Sequence, residues 1–125
     1  MNGISDTEVI NALRRQMTIA AAKQAAAAGN LANVDTPNYK AVDVSFADAL
    51  DAKIAVTHSG HQAPAGANGV KVEETRDTAP RRDGNTVVLD QELLKMGRAA
   101  GEFSAAQTAL SAKFRLVRYA INEAR

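Results

Sequence analysis

Residues 89–125 read LDQELLKMGRAAGEFSAAQTALSAKFRLVRYAINEAR, and their spacing decides the fold. Leu89, Leu93, Met96, Ala100, Phe103, Gln107, Leu110, Phe114, Val117 and Ile121 recur in strict alternation of three and four, the seam of a long amphipathic helix. Asp90 suits the N-cap and Glu92 the first turn, while Arg118 and Arg125 lie near the end, as the helix dipole favours. The spacing predicts one helix over 90–125.

A matching seam opens the chain. Ser5-Asp6-Thr7-Glu8 has the capping-box form, flanked by Ile4 and Val9 as a hydrophobic staple. From there Ile10, Leu13, Met17, Ala20, Gln24, Ala27, Leu31 and Val34 keep the three-four spacing, with alanines between them. Leu31 and Val34 hold the phase beyond Gly29, so the helix is carried through it. Pro37 disfavours helical geometry at Thr36, which predicts a stop near Val34.

Between the helices the composition changes. Residues 58–86 hold both histidines, two prolines and four glycines with few large apolar groups, which reads as a flexible loop. Alternation at Ile54 and Val56 and again at Val70 and Val72 permits a small β-hairpin. The expected fold is all-α: the two helices pair as an extended coiled-coil-like hairpin around a central loop. In domain terms, an N-terminal helix within 1–34 and a C-terminal helix within 87–125 form one domain, with a turn and loop over 35–86 inserted between them.

The chain has 125 residues, room for one domain, and 26 of them are alanine. Leu, Ile, Val and Phe supply only another 26, so large core-building side chains are scarce. At a rise of about 1.5 Å per residue the helices are roughly 43 and 54 Å long, far beyond the radius of gyration of about 14 Å expected for a compact chain this size. Each seam needs a partner along its whole length, and the shorter helix cannot cover the longer one. The uncovered surface points to neighbouring chains.

A net charge of +1 gives no sequence-wide attraction to nucleic acid or anionic membrane. The lack of cysteine excludes disulfides, thiolate zinc sites and thiol catalysis. No apolar run is long enough to span a membrane, and Met1-Asn2-Gly3-Ile4-Ser5-Asp6 lacks the regions of a cleavable signal, so any export is expected to use another route. His58 and His61 have no third metal ligand nearby and read as solvated loop residues. Glu73-Glu74, and Asp48 with Asp51, sit in polar segments with nothing to perturb them. No phosphate-binding glycine loop, zinc-protease motif or nucleophile elbow occurs, so no enzyme, no small-molecule substrate and no cofactor are expected. Gln24 and Gln107 interrupt the seams, either to fix register or as partly wet edge positions.

The segment Asn30-Leu31-Ala32-Asn33-Val34-Asp35-Thr36-Pro37-Asn38-Tyr39-Lys40, at the end of an amphipathic N-terminal helix, closely resembles the signature of bacterial flagellar rod and hook proteins. Asn38 stands where that family usually has glycine, and asparagine tolerates positive φ better than most residues. Ala41-Val42-Asp43-Val44-Ser45-Phe46 and the stretch from Asp83-Gly84-Asn85-Thr86-Val87 to the C-terminus extend the likeness, which covers residues 6–50 and 83–125. The resemblance implies a structural subunit of the proximal rod that self-assembles into a tube. It implies Asn30, Asn33, Asp35, Thr36, Pro37 and Tyr39 as motif residues, and other rod subunits, the rod-to-ring adaptor FliE and the export gate as partners. It also implies delivery to the periplasmic rod through the flagellar type III apparatus.

Phe46 and Leu50 fit the short pattern by which such subunits are recognised at the export gate; an i, i+4 apolar pair on a short helix accounts for them equally. The helix-packing interface is expected at Ile10, Leu13, Met17 and Leu31 on the first helix and at Leu93, Met96, Phe103, Leu110, Phe114, Val117 and Ile121 on the second. The rival readings are another rod subunit of the same family and a small coiled-coil adaptor or export chaperone.

Overall fold

The computed structural model describes residues 6–46, 70–76 and 78–123. Helix α1 spans Asp6–Ala32, strand β1 Val42–Phe46, strand β2 Val70–Glu74 and helix α2 Leu89–Glu123. The two helices run antiparallel, with Asp6 against Lys113 at 2.6 Å, Lys23 against Glu102 at 3.2 Å and Asn30 against Glu92 at 2.9 Å. The chain is thus a helical hairpin with a small sheet at the end where α1 stops and α2 starts. Both helices begin on acidic residues, Asp6 and Glu8 in α1 and Asp90 and Glu92 in α2, which favours their positive dipole ends.

In α2 one of the two columns that mark the seam in the sequence flanks the contact between the helices, and the other is exposed. In α2 the buried positions are Glu92, Ala99 and Ala106, flanked by half-buried Met96, Phe103, Leu110 and Val117. Leu93, Phe114 and Ile121 are about half exposed, and Leu89, Ala100 and Gln107 are exposed as well. In α1, Ala20 and Ala27 are buried, and Ile10, Leu13, Met17 and Leu31 are half-buried. Gln24 points to solvent, and Lys23 and Asn30 face the partner helix instead. Small residues sit at the line of closest approach because they let helix backbones draw together, while larger neighbours fill the flanks.

The sheet pairs β1 with β2 antiparallel, Val42 opposite Glu74, Val44 opposite Val72 and Phe46 opposite Val70. Val70 and Val72 therefore form a strand as expected, but the partner strand is Val42–Phe46. Ile54 and Val56, together with Asp48, Leu50, Asp51, His58 and His61, lie outside the described residues. Val42, Val44 and Phe46 alternate with polar residues and so carry the period-two signal of a half-buried strand. Val44 is buried, and with Ala41 and Val87 it concentrates the small core at this end of the hairpin.

The helices have 27 and 35 residues, about 40 and 52 Å at about 1.5 Å per residue. Toward the end of α2, Phe114 is 53% exposed and Ile121 62%.

Candidate functional site

The end of α1 is closed by its own asparagines. Asn33 sends its side-chain amide back to the Gly29 carbonyl at 2.9 Å and accepts the Thr36 hydroxyl at 3.2 Å. The chain then turns through Thr36-Pro37-Asn38-Tyr39, with the Tyr39 amide donating to the Thr36 carbonyl at 3.3 Å. Proline at the second place and a positive φ at the third are what a type II turn demands. Asn38 supplies that φ, 60°, in place of glycine.

A second strand of chain straps this turn down. Asn85 is fully buried, and its side-chain amide donates to the carbonyls of Asn33, Val34 and Thr36 at 2.9, 3.1 and 2.8 Å. These carbonyls have lost their helical partners, so one side chain satisfies the end of α1 from 49 to 52 residues away. Its oxygen accepts the Val87 amide at 2.7 Å, which also directs the entry to α2. The Arg81 guanidinium adds a donor to the Val34 carbonyl. Asn38 N–H donates to the Asp83 carbonyl at 2.8 Å and Thr86 N–H to the Tyr39 carbonyl at 3.0 Å. Gly84, at φ 80°, passes so close to Asn38 that a Cβ there would lie 2.3 Å from Asn38 Oδ1. The described part of the central stretch, though glycine-rich in its surroundings, is held by this hydrogen-bond network rather than looping freely.

Asn30 is the second hub and is fully buried. Its amide donates to the Val42 carbonyl at 2.7 Å and to Glu92 Oε2 at 2.9 Å. Its oxygen accepts the Val42 amide at 3.0 Å and the Tyr39 hydroxyl at 3.3 Å. Asn30 thus stands in for a neighbouring strand at Val42 and joins α1, β1 and α2 through one side chain. Glu92, 2% exposed, is bridged by Lys95 at 3.3 Å, and Lys95 also reaches Asp43 at 3.0 Å. A buried carboxylate with two donors is tolerated because its charge is paired and hydrogen-bonded.

Burial alone lowers the Lys95 pKa, but the hydrogen bond to Asp43 and the charge of Glu92 outweigh it, and the net direction is upward from 10.5. A raised lysine contributes stability that is complete below the unfolded value and lost as pH rises through the folded one. The expected result is a melting midpoint that falls above about pH 10.5 more steeply than in Lys95→Met. Parallel alkaline profiles for the two proteins would contradict this role.

Of the motif residues, Asn30, Asn33, Thr36 and Tyr39 meet at this junction, Pro37 shapes the turn, and Asp35 is exposed. Phe46 ends β1, and Leu50 lies outside the described residues. Glu73 and Glu74 are exposed on β2. Nothing in the local spacing singles out Glu92 or Asn85 as hubs. The Asp83-Gly84 turn signal marks their neighbourhood, but their partners are distant in sequence. Among the described residues no group of His, Cys, Asp and Glu could hold a metal ion, and no helix is long and apolar enough to cross a membrane.

The described residues thus form a helical hairpin closed by a hydrogen-bonded junction, with large apolar side chains of α2 left in water. Known proteins offer a comparison. The chain is similar to the flagellar basal body rod protein FlgB of Bacillus subtilis (strain 168), 28% identical over an alignment of 111 positions that covers 84% of this chain and 86% of that protein. No family model matches the chain.

Proposed function

We propose that this chain is a structural subunit of the flagellar proximal rod, the counterpart of FlgB, and that it works only when assembled with copies of itself and other rod subunits. The observation that carries the reading is the row of large apolar side chains left exposed on α2, Phe114 and Ile121 toward its end among them. Fully burying a side chain of this size stabilises an assembly by about 1.5–3 kcal/mol. The likeness to FlgB along most of both chains supports the same role.

On this reading the junction sets how the sheet is held against the helices, and the motif residues act through shape rather than chemistry. The chain needs no cofactor. It passes the flagellar type III apparatus to reach the periplasmic rod, where the adaptor FliE and neighbouring rod subunits meet its helices. Scarce core residues and the absence of disulfides suit passage as an unfolded chain.

The test is to tag the chain in its own bacterium and isolate basal bodies. Recovery in the rod, with loss of swimming on gene deletion, is expected; a cytoplasmic dimer that never reaches basal bodies would favour the chaperone reading. Phe46→Ala with Leu50→Ala is expected to lower the amount outside the inner membrane at least several-fold. Normal amounts of the double variant there would refute recognition at the gate.

A further inference from the structure

The face of α2 turned away from α1 has an order of its own. Near its start stand Asp90 and Leu94, near its end Arg115, Arg118 and Tyr119, all exposed. Leu94 is 54% exposed and Tyr119 64%. Asp90, Arg115 and Arg118 make no ion pair among the described residues. Between the two ends the same face carries Gly97, Gly101, Ser104 and Thr108 at three-four spacing, again exposed. Both glycines face open space, with nothing within 4 Å of an added Cβ, so packing inside the chain does not require them.

We propose that two free copies of this chain pair through this outer face of α2, antiparallel, about a two-fold axis beside Ser104. One register satisfies every feature at once. With Ser104 near its own counterpart, Asp90 of each copy meets the Arg118 region of the other, Leu94 meets Arg115 and Tyr119, and Gly101 meets Thr108. Opposite charges face each other at both ends, apolar side chains cover apolar side chains, and the small central residues let the helices approach closely. A parallel pair in register would set Asp90 against Asp90 and Arg115 against Arg115, which repel. A head-to-tail pair would use only the ends and leave the glycine face open.

This pairing is distinct from the rod contact proposed above. An assembly built by one screw operation keeps every copy's α2 pointing the same way. The antiparallel pair therefore holds copies apart from the polymer and has to open before either joins it.

The chain has no cysteine, so one introduced thiol reports unambiguously. Purified full-length Ser104→Cys, mildly oxidised at tens of micromolar, is expected to form a disulfide dimer. Tyr119→Cys alone is not, because the two thiols would lie roughly 45 Å apart along the axis at about 1.5 Å per residue. Mixed with Asp90→Cys, it is expected to cross-link. In sedimentation without oxidant, Gly101→Leu and Asp90→Arg should each weaken the dimer at least tenfold. The double change Arg115→Asp and Arg118→Asp, mixed with Asp90→Arg, should restore a heterodimer. A monomeric Ser104→Cys after oxidation, equal cross-linking of Tyr119→Cys alone, or an undisturbed Gly101→Leu dimer would each overturn the proposal. All readouts are on the free chain, so they stand whether or not it is recovered in basal bodies.

Discussion

Asn85→Ala is expected to lower the melting midpoint of the purified chain by roughly 10 °C, a loss of about 3 kcal/mol. The substitution removes donors from the Asn33, Val34 and Thr36 carbonyls and an acceptor from the Val87 amide in one step. Each lost hydrogen bond costs about 0.5–1.5 kcal/mol net, and the buried Val87 amide, left without its acceptor, about 1–3 kcal/mol; the three carbonyls keep one donor each, from Thr36 N–H, Arg81 and Tyr39 N–H. Water entering the space recovers part of that, which keeps the estimate below the plain sum. Asn122→Ala is the matched control, because Asn122 is exposed on α2 and should change stability by less than about 0.5 kcal/mol. Circular dichroism melts of the two variants decide the matter. Equal midpoints would mean that Asn85 does not hold the end of α1.

Phe114→Asp is expected to abolish incorporation into the rod while leaving the isolated chain as helical as before. Phe114 is half exposed in the single chain, so an aspartate there meets water and disturbs no core. Once neighbouring copies cover it, the same carboxylate is desolvated without a partner, at a cost of several kcal/mol, and the apolar contribution of the ring is lost as well. The checks are swimming motility, the amount of chain in isolated basal bodies and the helicity of the purified variant. Wild-type motility would show that this part of α2 is not buried on assembly. Lost helicity would show that it is already packed within the chain.

The two helices are legible in the sequence because each repeats its spacing over more than three heptads and opens on acidic residues. The phase of the seam is legible only in one of its two columns on α2. Large side chains at Leu93, Phe114 and Ile121 mark the other column, while the helices meet at Ala99 and Ala106, where small size permits close approach. Alanine gives no periodic signal in a chain this rich in it. The strand at Val70 and Val72 is visible, and Val42, Val44 and Phe46 carry the alternation of its partner, but a pairing across 28 residues has no local mark. Local turn chemistry is legible: Pro37 and Asn38 predict the turn, and the positive φ of Asn38 follows. The hubs are not, since Asn30 is completed by Glu92, 62 residues away, and the carbonyls that need Asn85 belong to the other half of the chain.

The account rests on the end of α2 being wet in the free chain and covered in the rod. Amide hydrogen exchange over residues 114–123 measures this directly, on dilute Gly101→Leu protein and on the chain within isolated basal bodies. The account predicts rapid exchange in the dilute chain and at least a hundredfold protection in the assembled one. Equal exchange rates in the two states would contradict it.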